Sequence, residues 1–231
     1  MKKNPIFCAI DTVDVDAARA AAAKLSGLIG GIKLGLEFFT AKGGDGVKTV
    51  MDGTDLPLFL DLKFHDIPNT VAGAVRGIAS LSPAFFTIHA GGGAAMMRAA
   101  VEAAGGRSKV LAVTILTSLS EADMAPLGIE GHVADQVKRL ADLAQASGVD
   151  GLVCSPQEVA LLRRHLGSEM ALVVPGIRPA GSAADDQVRT LTPAQALSAG
   201  ADHLVIGRPI TAAADPAQAA KAILASLSEK V

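Results

Sequence analysis

Short apolar runs recur along the whole chain, and the stretches between them have the signals of helices. Most residues of each run are apolar, whereas a strand with one face in water alternates between apolar and polar residues. Continuous apolar runs are typical of parallel strands that are covered on both faces. We therefore predict eight buried strands, at Ile6–Ile10, Gly31–Leu34, Leu58–Leu62, Phe85–His89, Val110–Leu116, Gly151–Cys154, Ala171–Val174 and His203–Ile206.

The segments between these runs begin and end as helices do. Asp14 precedes an alanine-rich stretch. At three other places an N-cap residue is followed by a proline, which suits the first helical position: Ser155-Pro156, Thr192-Pro193 and Asp215-Pro216. Glycines that could end helices lie at Gly27, Gly105, Gly148 and Gly200. The pattern predicts a helix after each strand.

Strand and helix together form a unit that repeats along the chain. Eight units in 231 residues leave about 29 residues for each, the size of a compact βα unit. We predict an α/β protein with one domain over residues 1–231, a (β/α)8 TIM barrel. A doubly wound sheet is the main alternative. It would have fewer strands or a glycine-rich first turn, and AIDTVD after the first run is not a dinucleotide fingerprint.

The composition argues against nucleic-acid and membrane partners. The net charge is −2 and no block of like charge stands out, whereas nucleic-acid or anionic-membrane surfaces usually have a basic excess. Trp and Tyr, the usual base-stacking side chains, are missing. No apolar stretch approaches the roughly 20 residues that span a bilayer, and the first run is too short for a signal peptide. We expect a cytoplasmic protein in which Cys8 and Cys154 are reduced and buried.

Charged residues gather where the predicted strands end, which is where the active site of a barrel lies. Asp61 and Lys63 stand at the end of the third strand, and Lys33 is on the second. Residues two apart on a strand point the same way, so Asp61 and Lys63 should both face the barrel mouth. Buried charges are costly unless paired, which predicts a neutralising row that Asp66 could complete. A purely structural ion network is the alternative, but this many charges favour a function.

The loops after the last two strands have the features of a phosphate site. Such loops in barrels often bind phosphate through backbone N–H groups and arginine side chains. The predicted groups are Gly176, Arg178, Gln187, Gly207 and Arg208. Glycine turns with solvated arginines are the alternative. We expect a small phosphorylated substrate whose reacting end lies near Lys63.

A metal site is a weaker hypothesis. His65, His89 and Asp61 could ligate an ion, but Lys33 and Lys63 would crowd it with positive charge and could replace it. We therefore predict no metal and interpret His89 as a hydrogen-bonded packing residue. The longest connection, from about residue 117 to 131, is either a lid over the site or a longer surface loop.

Several motifs together resemble the orotidine 5'-monophosphate decarboxylase family. They are DLKFHDIPNT at 61–70, Asp11, Lys33, PGIRP at 175–179 and IGRPI at 206–210, and the resemblance covers essentially the whole chain. It implies a homodimer without cofactor that converts orotidine 5'-monophosphate to UMP and CO2, the last step of de novo pyrimidine biosynthesis.

The resemblance also implies roles for individual residues. Lys63 would protonate C6 of the pyrimidine, Asp61 would lie beside the departing carboxylate, and Lys33 and Asp66 would complete the row of charges. Implied substrate-binding residues are Asp11 and Lys33 at the ribose, Thr117 and Ser120 over the pyrimidine, and Arg178, Gln187, Gly207 and Arg208 at the phosphate. Asp66 and Thr70 would project into the site of the partner subunit.

Two other functions remain open from the sequence. One is a related, metal-dependent phosphosugar barrel enzyme, such as a 3-keto-L-gulonate 6-phosphate decarboxylase or a pentose phosphate epimerase. Those enzymes need acidic or histidine metal ligands where this chain has Lys33. The other is a barrel that senses a phosphoribosyl ligand without turnover, against which the complete row of charges argues.

Overall fold

Eight parallel strands form a closed barrel in the computed structural model, which describes residues 4–179 and 190–227. Each strand pairs with the next in chain order, and β8 pairs with β1. The strands are β1 Ile6–Ala9, β2 Gly31–Gly35, β3 Leu58–Phe64, β4 Phe85–His89, β5 Lys109–Val113, β6 Gly151–Val153, β7 Ala171–Val174 and β8 His203–Ile206. The predicted TIM barrel is confirmed.

Two predicted strand ends are wrong by more than one residue. β3 continues to Phe64 instead of ending at Leu62, and β5 ends at Val113 instead of Leu116. Ile115 and Leu116 are apolar because they line a cavity at the barrel mouth, and a cavity wall has the same apolar pattern as a strand.

The described residues form ten α-helices and four short 3-10 helices. The α-helices are α1 Val15–Leu25, α2 Leu36–Met51, α3 Pro68–Ile78, α4 Gly93–Ala104, α5 Glu121–Met124, α6 Val133–Ala146, α7 Val159–Leu166, α8 Pro193–Ser198, α9 Arg208–Thr211 and α10 Pro216–Ser226. The 3-10 helices are Ala79–Leu81, Ala90–Gly92, Ala125–Leu127 and Pro156–Glu158. The short α5 and α9, which follow β5 and β8, are additions to the predicted repeat.

The predicted cap residues begin and end these helices. Asp14 accepts a hydrogen bond from the N–H of Ala17 at 3.0 Å, and the Thr192 hydroxyl accepts one from Gln195 at 3.3 Å. Gly105 ends α4 with φ +57°, a left-handed conformation that glycine adopts without strain. Ser155-Pro156 begins a 3-10 turn that leads into α7, and not α7 itself.

Two apolar layers hold the barrel together. The larger one packs the outward faces of the strands against the helices. The smaller one fills the barrel interior and consists of Phe7, Ala9, Phe59, Phe85, Leu111, Val173 and Val205. Its rings of Phe7, Phe59 and Phe85 meet edge to face, with centroids 5.4 to 6.0 Å apart. Because side chains fill the interior, open space for a ligand lies above them, at the carboxyl ends of the strands.

Cys8 and Cys154 are both buried and unpaired, as the sequence predicted. In the described part of the chain, none of the helices has the length and apolar character needed to cross a membrane.

Candidate active site

A cavity of about 280 Å³ opens where the strands end. Its walls come from the strands β1, β2, β3, β5, β6 and β8 and from loops at the carboxyl ends of the strands, including the loop after β7. Nine of the residues predicted to form a site line this cavity: Asp11, Lys33, Asp61, Lys63, Thr117, Gly176, Arg178, Gly207 and Arg208. The structure therefore brings together residues that lie up to 197 positions apart, from Asp11 to Arg208.

A row of alternating charges crosses the cavity floor. The Nζ atom of Lys33 lies 3.7 Å from Asp11 Oδ1 and 3.4 Å from Asp61 Oδ2. The Nζ atom of Lys63 donates to Asp61 Oδ1 at 2.8 Å. The side chains of Lys33 and Asp61 are only 12% and 15% exposed, so water screens these contacts weakly. Each buried charge thus has an opposite charge beside it, as burial requires.

The pKa of Asp61 lies below its usual value. Burial alone would raise it, but the charges of Lys33 and Lys63 and the hydrogen bonds from Lys63 and Thr87 together outweigh burial. Asp61 is therefore an anion at neutral pH, with an ammonium group at each of its two oxygens.

The backbone at Lys63 differs from the regular strand that the sequence suggested. Its φ is +49°, and the pairing of β3 with β4 shifts between Leu60 and Phe64. The side chains of Asp61 and Lys63 still meet over the cavity, but an irregular backbone brings them together, and simple alternation along a strand does not.

Thr87 on β4 is a site residue that sequence reasoning missed. It is fully buried, its hydroxyl donates to Asp61 Oδ1 at 3.0 Å, and it accepts the N–H of Lys63 at 2.8 Å. One signal was available in the sequence: Thr87 is a polar residue between the apolar Phe86 and Ile88, two residues after Phe85, and so faces the same interior.

Arginines on two loops supply positive charge away from the lysines. Arg178 follows the turn at Gly176, whose φ of +75° suits glycine, and its N–H donates to Leu191 O at 3.0 Å. Arg208 begins α9 directly after Gly207. Gln187, which was also predicted at the phosphate, lies outside the described residues.

Three predicted site residues lie away from the cavity of this chain. Asp66 is exposed on the segment that joins β3 to α3, where it accepts the N–H of Ile67 at 2.6 Å, and Thr70 is exposed in the first turn of α3. Ser120 is the N-cap of α5, and its hydroxyl donates to Asp123 at 2.6 Å. Ser120 and Thr117 both line a second groove that adjoins α6 and α7.

One wall of the cavity is apolar. Ile115, Leu116, Val153, Cys154 and Pro175 line it beside the charged groups. A planar ring could pack on such a wall while its polar end meets the arginines. The charges next to this wall are the part of the site that can act on the ring.

Two histidines stack beside the site. The rings of His65 and His89 lie 5.2 Å apart and nearly parallel, and His89 Nδ1 accepts the N–H of Gly91 at 3.3 Å. Burial, with the neighbouring His65 and Lys63, lowers the pKa of His89, which favours a neutral ring. Across residues 4–179 and 190–227, no group of three or more His, Cys, Asp or Glu side chains is arranged to hold a metal ion.

Comparison with known proteins points in one direction. Residues 4–223 match the model of the Orotidine 5'-phosphate decarboxylase / HUMPS family. An orotidine 5'-phosphate decarboxylase of Paramagnetospirillum magneticum is 56% identical, over 97% of this chain and 98% of that protein. One of Rhodospirillum rubrum is 54% identical, over 96% and 94%. The crystal structure of orotidine 5'-phosphate decarboxylase from Lactobacillus acidophilus is 35% identical, with a TM-score of 0.86 over 98% of this chain and 100% of that one.

Proposed function

The chain belongs to the orotidine 5'-phosphate decarboxylase / HUMPS family, and we propose that it converts orotidine 5'-monophosphate to UMP and CO2 in pyrimidine biosynthesis. One observation of the site supports this most directly. The ammonium of Lys63 is held 2.8 Å from a buried carboxylate, in the cavity that Arg178 and Arg208 also line. The chain acts as a single barrel domain in the cytoplasm, without a cofactor.

The reaction needs a cation at one ring carbon. When the bond from C6 to the carboxylate breaks, CO2 leaves and the electron pair stays on C6, in an orbital that the ring cannot delocalise. A fixed ammonium group stabilises this developing charge and then transfers a proton to it. Lys63 forms the new C6–H bond and regains its proton from water. No oxidant or reductant is required.

Asp61 and Lys33 prepare Lys63 for this step. Asp61 fixes the direction of the Lys63 ammonium through a short hydrogen bond, and Lys33 neutralises the other carboxylate oxygen. In the proposed complex the departing carboxylate lies beside Asp61. Repulsion between these two anions would be relieved when CO2 leaves.

Distant parts of the substrate supply binding energy. Arg178, Gln187, Gly207 and Arg208 would hold the phosphate through charge-assisted and backbone hydrogen bonds, and Asp11 and Lys33 would bind the ribose hydroxyls. One lysine cannot provide the roughly 8–23 kcal/mol by which enzymes lower barriers. Contacts to the phosphate and ribose therefore have to align C6 with Lys63.

Thr117 and Ser120 would contact the pyrimidine from the loop after β5. Thr117 already lines the cavity. Ser120 is engaged with Asp123, so it can reach a substrate only if the loop shifts and this hydrogen bond opens. We therefore interpret the long loop as a lid and not as a passive surface loop.

The active sites would be shared between two subunits. Asp66, Thr70 and the 66%-exposed Ile67 lie together on the segment after β3. A homodimer that buries this segment would cover Ile67 and carry Asp66 and Thr70 into the partner's cavity. Asp66 would then complete the charge row next to Lys63.

Mixing two inactive variants tests this sharing. A dimer of Lys63→Ala and Asp66→Ala subunits has one site with both defects and one intact site. Co-expressed chains should therefore recover about a quarter of wild-type activity, because about half of the dimers are mixed. Activity that stays at the level of the separate variants, or a monomer in light scattering, would contradict the shared site.

The name of the matching family model has a second part, HUMPS, so the family is wider than one activity. The second candidate is the metal-dependent reaction on a phosphosugar that the sequence left open. Lys33 favours the decarboxylation of orotidine 5'-monophosphate, because its ammonium already supplies positive charge between Asp11 and Asp61, where a metal ion would otherwise be needed. Relatives more than 50% identical are named as orotidine 5'-phosphate decarboxylases.

An absorbance assay with orotidine 5'-monophosphate tests the proposal. The purified protein should turn the substrate over equally with and without EDTA. Lys63→Ala should lose at least about 10³-fold in kcat, since both charge stabilisation and the proton are removed. Lys109→Ala is the matched control, an exposed lysine paired with Asp150 where β5 begins. Loss of activity in EDTA, or normal turnover by Lys63→Ala, would refute the proposal.

A further inference from the structure

We propose that Thr87 is a positioning residue for Lys63, acting on the backbone of Lys63 directly and on its ammonium through Asp61. This inference rests on the proposed function, in which Lys63 is the proton donor. It concerns a residue outside the charge row, on the neighbouring strand β4.

β3 and β4 lose their regular pairing beside the site. Leu60 pairs with Phe86 and the next pair is Phe64 with Ile88, so β3 advances four residues while β4 advances two. A bulge of this kind leaves backbone groups of the longer strand without ladder partners. Thr87 is the β4 residue opposite the bulge. Its hydroxyl replaces a ladder partner by accepting the N–H of Lys63 at 2.8 Å.

The backbone of Lys63 needs such support. A non-glycine residue with positive φ is strained and persists only where its surroundings enforce that conformation. Lys63 has φ +49°, and its partly buried N–H is satisfied by Thr87. Without this acceptor, the strand could relax to a regular conformation that points Lys63 elsewhere.

The direction of the threonine hydroxyl follows from its single proton. Because the oxygen accepts the N–H of Lys63, its own hydrogen is directed at Asp61 Oδ1, 3.0 Å away. The same oxygen of Asp61 receives the ammonium of Lys63 at 2.8 Å. Thr87 therefore holds Lys63 at both ends: at the amide directly, and at Nζ through a carboxylate whose position it fixes.

Threonine suits this place for a physical reason. Thr87 is fully buried in the barrel interior, where its hydroxyl has to be paired. The β-branched side chain restricts rotation about χ1, so the hydroxyl keeps its direction. Serine keeps the hydroxyl but lacks the methyl group, and valine keeps the shape but lacks the hydroxyl.

The predicted consequence separates catalysis from binding. A misplacement of about 1 Å can lower a rate about 10²-fold. The groups proposed to hold the phosphate lie on the loops after β7 and β8, and Thr87 is not among the residues that line the cavity. Loss of the hydroxyl should therefore lower kcat and leave KM nearly unchanged.

Steady-state kinetics on the dimer test this role with three variants. Thr87→Val should lower kcat about 30- to 300-fold with KM within about threefold, and Thr87→Ser should restore kcat to within about fivefold of the wild type. Thr114→Val is the matched control, because Thr114 is equally buried and its hydroxyl bonds Val153 O instead of the charge row. It should keep wild-type kcat. If Thr87→Val does not fold, as judged by circular dichroism, Thr87→Ala removes the same hydroxyl with less bulk.

Several results would overturn the inference. They are wild-type kcat in the folded hydroxyl-free variant, an equal loss in Thr114→Val, or an equal loss in Thr87→Ser. Lys63→Ala in the same series distinguishes a failure of the positioning role of Thr87 from a failure of the proposed function. If it is inactive while Thr87→Val is normal, only the positioning role fails. If it turns over normally, the proposed function fails as well.

Discussion

Arg163 on α7 joins the segments that lead into the last two strands, and its removal should destabilise the barrel. Its Nε and Nη2 atoms donate to Gly200 O at 3.0 and 2.7 Å. Its Nη1 atom donates to Gly167 O at 2.7 Å and to Met170 O at 3.1 Å. Its Nη2 atom also pairs with the carboxylate of Asp202. One side chain thus satisfies three carbonyls and one acid that come from separate turns.

The expected loss of stability follows from these contacts. Each hydrogen bond contributes about 0.5–1.5 kcal/mol net, and the four to carbonyls together give about 3 kcal/mol. The pair with Asp202 adds little, at most about 1 kcal/mol, because that carboxylate is 45% exposed. Arg163→Ala should therefore lower the free energy of unfolding by about 3 kcal/mol and Tm by about 6–12 °C. Activity should stay normal, since β7 and β8 begin at the opposite end of the barrel from the cavity.

Arg164→Ala is the matched control. Arg164 is the next residue of the same helix and is exposed, so its loss should change stability by no more than about 0.5 kcal/mol. Urea unfolding followed by circular dichroism measures both variants against the wild type. Equal stability of the two variants would show that the hydrogen bonds of Arg163 make no net contribution to stability. A lower kcat in folded Arg163→Ala would refute the expectation that these contacts do not affect the active site.

Three further predictions concern charges and thiols. The pKa of Asp61 is lowered, so its stabilising charge is complete above its unfolded value, about 3.9, and is lost as pH falls through the lower folded value. Asp61→Asn should flatten the fall of Tm in acid, and an unchanged acid profile would contradict this. The carboxylate of Glu121 accepts a hydrogen bond from His132 Nδ1 at 2.8 Å, and this contact raises the pKa of His132 above 6.5. An NMR titration should show a lower His132 pKa in Glu121→Gln, and an unchanged value would disprove the pairing. Burial raises the pKa of Cys8 to about 12 and also raises that of Cys154. A thiol reagent at neutral pH should therefore label two thiols in denaturant and none in the native protein; rapid native labelling would show that the thiols are accessible.

Much of the fold could be predicted because its signals are local. Apolar runs, N-cap residues and glycine stops each act within a few residues, so they mark strands and helices wherever they occur. The predicted strand starts at Leu58, Phe85 and Ala171 match the structure, because a helix that covers each strand leaves a continuous apolar run. The predicted end of β5 was wrong because Ile115 and Leu116 face a cavity, and the apolar pattern alone does not distinguish a strand from a cavity wall.

The charged part of the site could also be predicted, because a barrel places every strand end at one mouth. That rule located Asp11, Lys33, Asp61 and Lys63 without any distances. It could not place Ser120, whose hydroxyl is occupied by a helix cap within the loop. The roles proposed for Asp66 and Thr70 would require a second subunit, and the pattern of residues within one chain does not reveal such a contact.

The sequence by itself determined the repeating units, the barrel and the kinds of charge at its mouth, since these follow from local hydrophobic pattern and from topology. Only the tertiary structure decided how Lys63 is held. Its unusual backbone depends on the pairing of β3 with β4, and its support, Thr87, lies 24 residues away in sequence. Contacts of that kind arise when two strands meet in a particular register, and the register is a property of the folded barrel.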